Sequence, residues 1–70
     1  EIKAINSKYY MITVTDDDGQ EESVFVNSST KYFNEKNNAI EFKELKKGQN
    51  ILVTGSNSSG VFEARIIIIQ

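Results

Sequence analysis

Three features of the chain predict a small all-β fold. Tyr9 to Thr15 places Tyr10, Ile12 and Val14 on one face and Tyr9, Met11, Thr13 and Thr15 on the other, the two-residue period of a strand. Asp16-Asp17-Asp18-Gly19 follows as a hairpin turn, since Asp tolerates turn conformations and Gly19 supplies positive φ without steric cost. The chain then closes on Val61–Ile69, a run dominated by β-branched residues. Together they predict a five-stranded barrel with one short helix between the third and fourth strands. That order is the order of an OB-fold. An SH3-like barrel is the alternative, in which the helix shrinks to a turn and a short strand at Lys31 counts for more.

The elements are justified in turn. Ile2, Ala4 and Ile5 mark a first strand whose Ile2 to Ile5 spacing breaks alternation and predicts a bulge or bend. Asn6-Ser7-Lys8 is a turn signal. Ser23–Val26 is the return strand of the hairpin, with Val24 and Val26 inward and Phe25 outward. Asn27-Ser28-Ser29 is loop, Lys31-Tyr32-Phe33 a short strand, and Asn34 to Asn38 a polar turn. Phe42, Leu45 and Lys46 at helical spacing predict one or two helical turns over Glu41–Lys47, with cations in the last turn and Gly48 after it. Asn50–Thr54 is the fourth strand, with Ile51 and Val53 inward, and Gly55 to Gly60 a flexible turn. In the fifth strand Phe62, Ala64, Ile66 and Ile68 are expected inward, leaving Ile67 and Ile69 outward.

Length and composition bound what such a barrel can do. Seventy residues make a single domain, residues 1–70, and a chain this short buries only about 60% of its unfolded surface. With no Cys, packing and the strand ladders must hold it, and thiolate chemistry is excluded. With no His, the usual general base at neutral pH and the commonest metal ligand are both missing. Lys and carboxylates remain as bases, but Glu41, Glu44 and Glu63 show no spacing that demands chemistry, so no enzyme and no cofactor is expected. A net charge of −2 gives no attraction to nucleic acid or anionic membrane. The longest apolar run, Ile66–Ile69, is too short to cross a bilayer, so no transmembrane segment is expected. Residue 1 is Glu rather than Met, which leads to the expectation of a fragment of a longer chain.

Thr30, Leu45, Lys46, Gly48, Ile51, Val53, Gly55, Gly60, Ala64 and Ile67 follow a recurrent pattern: a Thr-led short strand, a Leu-Lys-x-Gly corner, alternating apolar residues ending in Gly, a Gly turn, and x-Ala-x-x-Ile. Ile2, Ile5, Asn6-Ser7, Ile12 and Val14 fit its first hairpin, while Gln49 stands where Asp is common. On these residues the chain resembles a bacterial domain family of unknown function with an OB-like barrel. Its members occur in cell-envelope proteins and candidate lipoproteins. The resemblance implies an extracytoplasmic, non-catalytic binding or structural module, and it carries over no site residues.

The residues themselves nominate two surfaces and one cation site. Tyr9, Met11 and Phe25 are expected to share the outer face of the second and third strands, with Lys8 and Lys31 at its rim. That is the face on which OB-folds stack oligonucleotides or oligosaccharides. The alternative is that loops cover these side chains, or that they are single exposed apolar residues. The carboxylates of the adjoining hairpin, Asp16, Asp17, Asp18, Glu21 and Glu22, would repel phosphates, so nucleic acid is an unfavoured partner and a sugar or peptide fits better. Asp16 and Asp18 are weak cation candidates. The run fails the EF-hand pattern, because placing Gly19 sixth puts Val14 first and Phe25 twelfth, and a solvated hairpin tip explains it. Ile67 and Ile69, if outward, make the last strand apolar on both faces and suggest a neighbouring domain or self-association through that strand. Asn27-Ser28-Ser29 and Asn57-Ser58-Ser59 match the glycosylation sequon, which acts only in a secretory eukaryotic setting.

Overall fold

The computed structural model describes all 70 residues. It is an all-β chain of seven strands in a curled half-barrel: β1 (Ile2–Asn6), β2 (Met11–Thr15), β3 (Glu21–Phe25), β4 (Lys31–Phe33), β5 (Ala39–Ile40), β6 (Ile51–Ser58) and β7 (Val61–Ile69). β1, β2 and β3 form an antiparallel meander. β7 is the central strand. One of its edges carries β6 along the whole length of β7, antiparallel. The other edge is shared by two parallel partners, β3 at Phe62–Glu63 and β4 at Ile66–Ile68. The predicted bulge in β1 is present, as a register shift between Ile2 and Ala4 against β2.

The core is small. Ile2, Ile12, Val24, Val26, Leu45, Ala64 and Ile67 are buried, and eight further apolar residues, among them Val14, Ile51, Val53 and Phe62, pack against them. The alternation in β2 and β3 sets their contribution, since Ile12 and Val24 face each other across the hairpin on the inner side.

Five expectations are corrected. The predicted helix over Glu41–Lys47 is a single 3-10 turn, Phe42–Glu44. The Glu44 carboxylate accepts the Glu41 N–H at 2.9 Å, which caps the turn. Leu45 leaves it with extended backbone (φ −76°, ψ 139°) and drops into the core at 4% exposure. So short a segment cannot offset helix nucleation, and burying Leu45 decides its geometry. The expected turn from Gly55 to Gly60 is instead the second half of β6, and only Ser59 and Gly60 turn, both with positive φ (53° and 81°). The strand count is seven rather than five, because Lys31–Phe33 pairs fully and Ala39–Ile40 adds to it. Tyr10 is not inward. It ends a turn at φ 52° and is 57% exposed. The Asn6 side-chain oxygen accepts the N–H groups of Lys8 and Tyr9 at 3.1 and 3.2 Å, so residues 7–10 are held as a turn and β2 begins at Met11.

The fifth correction concerns β7. The pairing with β6 slips between Thr54–Ile66 and Gly55–Ala64, leaving Arg65 as an extra residue. This bulge reverses the inward and outward faces beyond it. Ile67 is therefore fully buried and Ile69 packs on the core, while Ile66 and Ile68 turn outward. β7 is also paired on both edges, so the expected self-association through an Ile67/Ile69 edge has no surface to use.

Thr30 closes the junction where β3 hands over to β4 on the edge of β7. Its hydroxyl donates to the Ala64 carbonyl at 2.8 Å and accepts the Asn27 N–H at 3.0 Å, at only 8% exposure. Thr30→Val keeps the shape and leaves both backbone groups without this partner. A loss of about 2 kcal/mol is expected by urea unfolding. Thr30→Ser retains the hydroxyl and should retain most of the stability.

Candidate ligand-binding face

The outer face of the β2–β3 hairpin follows from its register. Met11 sits opposite Phe25, Thr13 opposite Ser23, and Thr15 opposite Glu21. The first of these pairs extends sideways, because Asn6 of β1 pairs with Met11, Phe25 pairs with Glu63 of β7, and Glu63 pairs with Ser56 of β6. The result is a row across five strands, Asn6–Met11–Phe25–Glu63–Ser56. Its centre is a thioether beside an aromatic ring, both half-buried, and its flanks are amide, carboxylate and hydroxyl.

Tyr9 stands at one end of this face, 64% exposed, on the turn that Asn6 caps. The Lys8 ammonium lies 5.4 Å from the centre of the Tyr9 ring, a cation–π distance. Four of the five nominated residues thus come from the β1–β2 turn and the β2–β3 pair. Lys31 does not join them. It faces outward beside Ile66, three positions along β7 from Phe25's neighbour Glu63, about 10 Å at the rise of a strand.

The row ends in a polar recess of about 200 Å³ lined by Asn27, Ser29, Ser56, Glu63, Ala64 and Arg65. The Asn27 amide donates to the Glu63 carboxylate at 3.2 Å, and the bulge presents Arg65 beside it. The recess therefore offers one group of each charge with several neutral donors and acceptors. Sequence reading missed it, because it depends on the bulge and on a loop more than thirty positions away in the chain.

A second aromatic group was also missed. Phe42 lies between Tyr10 and Tyr32, with ring centres 5.7 and 6.1 Å apart and interplanar angles of 59° and 67°. Burial pushes the Tyr32 phenol above its usual pKa by penalising the charged form. Phe42 supports this group from the 3-10 turn that replaces the expected helix.

Of the two cation candidates, Asp16 is engaged by the hairpin itself. The Asp16 carboxylate accepts the N–H groups of Asp18 and Gln20, both at 2.9 Å, so it caps its own turn. No three acidic side chains converge there or elsewhere. Glu21 is ion-paired to Lys3 across the sheet. Lys43 and Glu41 form the other ion pair, 3.7 Å apart and largely exposed. No helix is long and apolar enough to cross a membrane. No family of known proteins, no curated protein and no solved structure matches the chain.

Proposed function

We propose that this chain is a non-catalytic binding module with an OB-type barrel, belonging to a bacterial cell-envelope protein, and that it takes a neutral oligosaccharide on the outer face of β2 and β3. The strand connections support the barrel type. The order β1, β2, β3, β7, β6, with β3 and β7 parallel, is the order of an OB-fold. Two backbone bonds, Ile2 N–H to Gln49 C=O and Gly48 N–H to Ile2 C=O, both 2.8 Å, bring the start of β1 to the start of β6 as barrel closure requires. β4, β5 and the 3-10 turn then fill the connection that holds a helix in other barrels of this order. The cell-envelope setting rests on the resemblance noted in the sequence.

The observation that carries the ligand reading is the Met11–Phe25 pair at the centre of a row whose flanks are Asn6, Glu63 and Ser56. A flat apolar patch takes the carbon face of a sugar ring, and amide, carboxylate and hydroxyl groups at its sides take the sugar hydroxyls. Single-stranded nucleic acid also stacks on such patches, but Glu63 puts a carboxylate directly beside Phe25 and the chain carries a net charge of −2.

An amide chemical-shift titration tests the reading. Soluble cell-wall glycan fragments should shift Met11, Thr13, Phe25 and Tyr9. Phe25→Ala should weaken that binding about tenfold or more, the loss of one ring contact, while the dispersion of the spectrum is retained. Localised shifts with a mixed single-stranded oligonucleotide at low salt, and none with glycan, would replace the sugar by nucleic acid. Glycan shifts confined to Tyr10, Tyr32 and Phe42 would move the site to the other aromatic group.

A further inference from the structure

β7 is enclosed, but its neighbour β6 is not. β6 pairs with β7 on one edge and with no strand on the other. β1 approaches only at the corner, through the bonds of Ile2 to Gly48 and Gln49, and then diverges.

The hydrogen-bond parity of β6 says which groups face out. The Gln70 N–H donates to the Asn50 carbonyl at 2.8 Å, so Asn50 turns its backbone toward β7. Alternation then turns Leu52, Thr54, Ser56 and Ser58 the same way. The two-residue turn at Ser59–Gly60 gives the same parity from the other end, since Ser58 and Val61 close it. The bulge lies in β7, so the alternation along β6 is unbroken. Ile51, Val53, Gly55 and Asn57 therefore present their N–H and C=O groups to the open edge.

Edges of this kind are normally blunted by charge, proline, a bulge or shortness. β6 has none of these. It is eight residues long, and from Gly48 to Phe62 no residue is charged and none is proline. The other free edges are different: β1 carries Lys3, and β5 has two residues. The absence of charge matters most for one partner. A two-fold axis sets each residue against its own counterpart, so a charged edge repels its copy, whereas a neutral one does not.

We propose that β6 is a dimerisation edge, pairing antiparallel with β6 of a second copy of this chain about a two-fold axis at Thr54. In this register Ile51 meets Asn57 of the copy and Val53 meets Gly55, so all four open residues on each strand gain partners. Thr54 faces Thr54 of the copy, and the exposed Leu52 lies against Ser56 of the copy. The two half-barrels then share one continuous sheet. No charge lies on the paired strands, so salt acts only through the net charge of −2 on each copy and the carboxylates of Glu1, Asp16 and Asp17 that border the Ile51 end, and added salt strengthens the association slightly.

Sedimentation of the intact chain over a concentration series tests this. The expected result is a species of twice the monomer mass, formed below about 1 mM, with amide-exchange protection at Ile51, Val53, Gly55 and Asn57 that rises with concentration. Thr54→Lys and Thr54→Glu place like charges on the axis and should each weaken the dimer about tenfold or more, while circular dichroism stays unchanged. An equimolar mixture of the two variants should recover the dimer, which a folding defect would not allow. A chain that stays monomeric to about 1 mM overturns the proposal. An uncharged extended peptide of unrelated sequence that then binds at the same four amides would assign the edge to a foreign extended segment instead. A dimer that Thr54→Lys leaves intact, with protection outside β6, also overturns it.

Discussion

Gly55→Ala is expected to cost about 3 kcal/mol, near the upper end of what overpacking does, and to lower the melting temperature by about 12–24 °C. The reason is distance rather than dihedral angle. A Cβ built on Gly55 lies 2.0 Å from the Glu63 carbonyl oxygen, 2.9 Å from its carbon and 3.0 Å from the Ala64 Cα. All three are backbone atoms of β7, so no side chain can swing away. β6 must lift from β7 where the bulge brings them closest. A domain of this length holds only about 3.5–10 kcal/mol in total at typical stability per residue, so the loss is a large share of it. Gly60→Ala is the control. Its φ is 81° and nothing lies within 4 Å of the added Cβ, so it loses only the conformational term, about 1 kcal/mol. Thermal unfolding of the two variants side by side checks the order. Equal losses would mean that the close approach of β6 to β7 relaxes freely.

Gly55 also shows where the sequence was readable and where it was not. A glycine followed by Ser, Asn, Ser and Ser looks like a loop, because composition is the only local signal there. In the fold that segment is polar because it lies on an open edge, and the glycine is required by a bulge in the opposite strand. A bulge is a property of two strands at once, and neither alone announces it. The hairpin of β2 and β3 was legible for the opposite reason. Its turn fixes its register, so pairing Ile12 with Val24 inside and Met11 with Phe25 outside follows from counting outward from the turn. Tyr10 departs from the alternation because the Asn6 side-chain oxygen accepts the Lys8 and Tyr9 amides and holds a turn, which alternation cannot foresee. The Tyr10–Phe42–Tyr32 group failed because its rings come from three distant segments. The distance of Lys31 from Phe25 is not legible in sequence, because β3 and β4 share one edge of β7 at separate positions.

The run Ile66–Ile69 carries the other large expected effect. Four identical side chains give no parity, so alternation extrapolated from Phe62 and Ala64 turns Ile66 and Ile68 inward. The bulge at Arg65 turns Ile67 inward instead, to 0% exposure among Ile2, Ile12, Val24 and Ala64. Ile67→Ala should therefore cost about 2–5 kcal/mol, the range for emptying a buried isoleucine site. Ile66→Ala, on the half-exposed outer face beside Thr54 and Lys31, should cost about 1 kcal/mol or less. Urea unfolding of the two alanine variants separates the alternatives without a ligand or a partner. A larger loss at Ile66 than at Ile67 would mean that β7 alternates unbroken and the bulge is absent. The same result would flip Ile69 and return an apolar outer stripe to Ile67 and Ile69. With only seven buried apolar residues in the core, neither arrangement can lose one of its inward isoleucines cheaply. The comparison therefore reads the register of the central strand directly as stability.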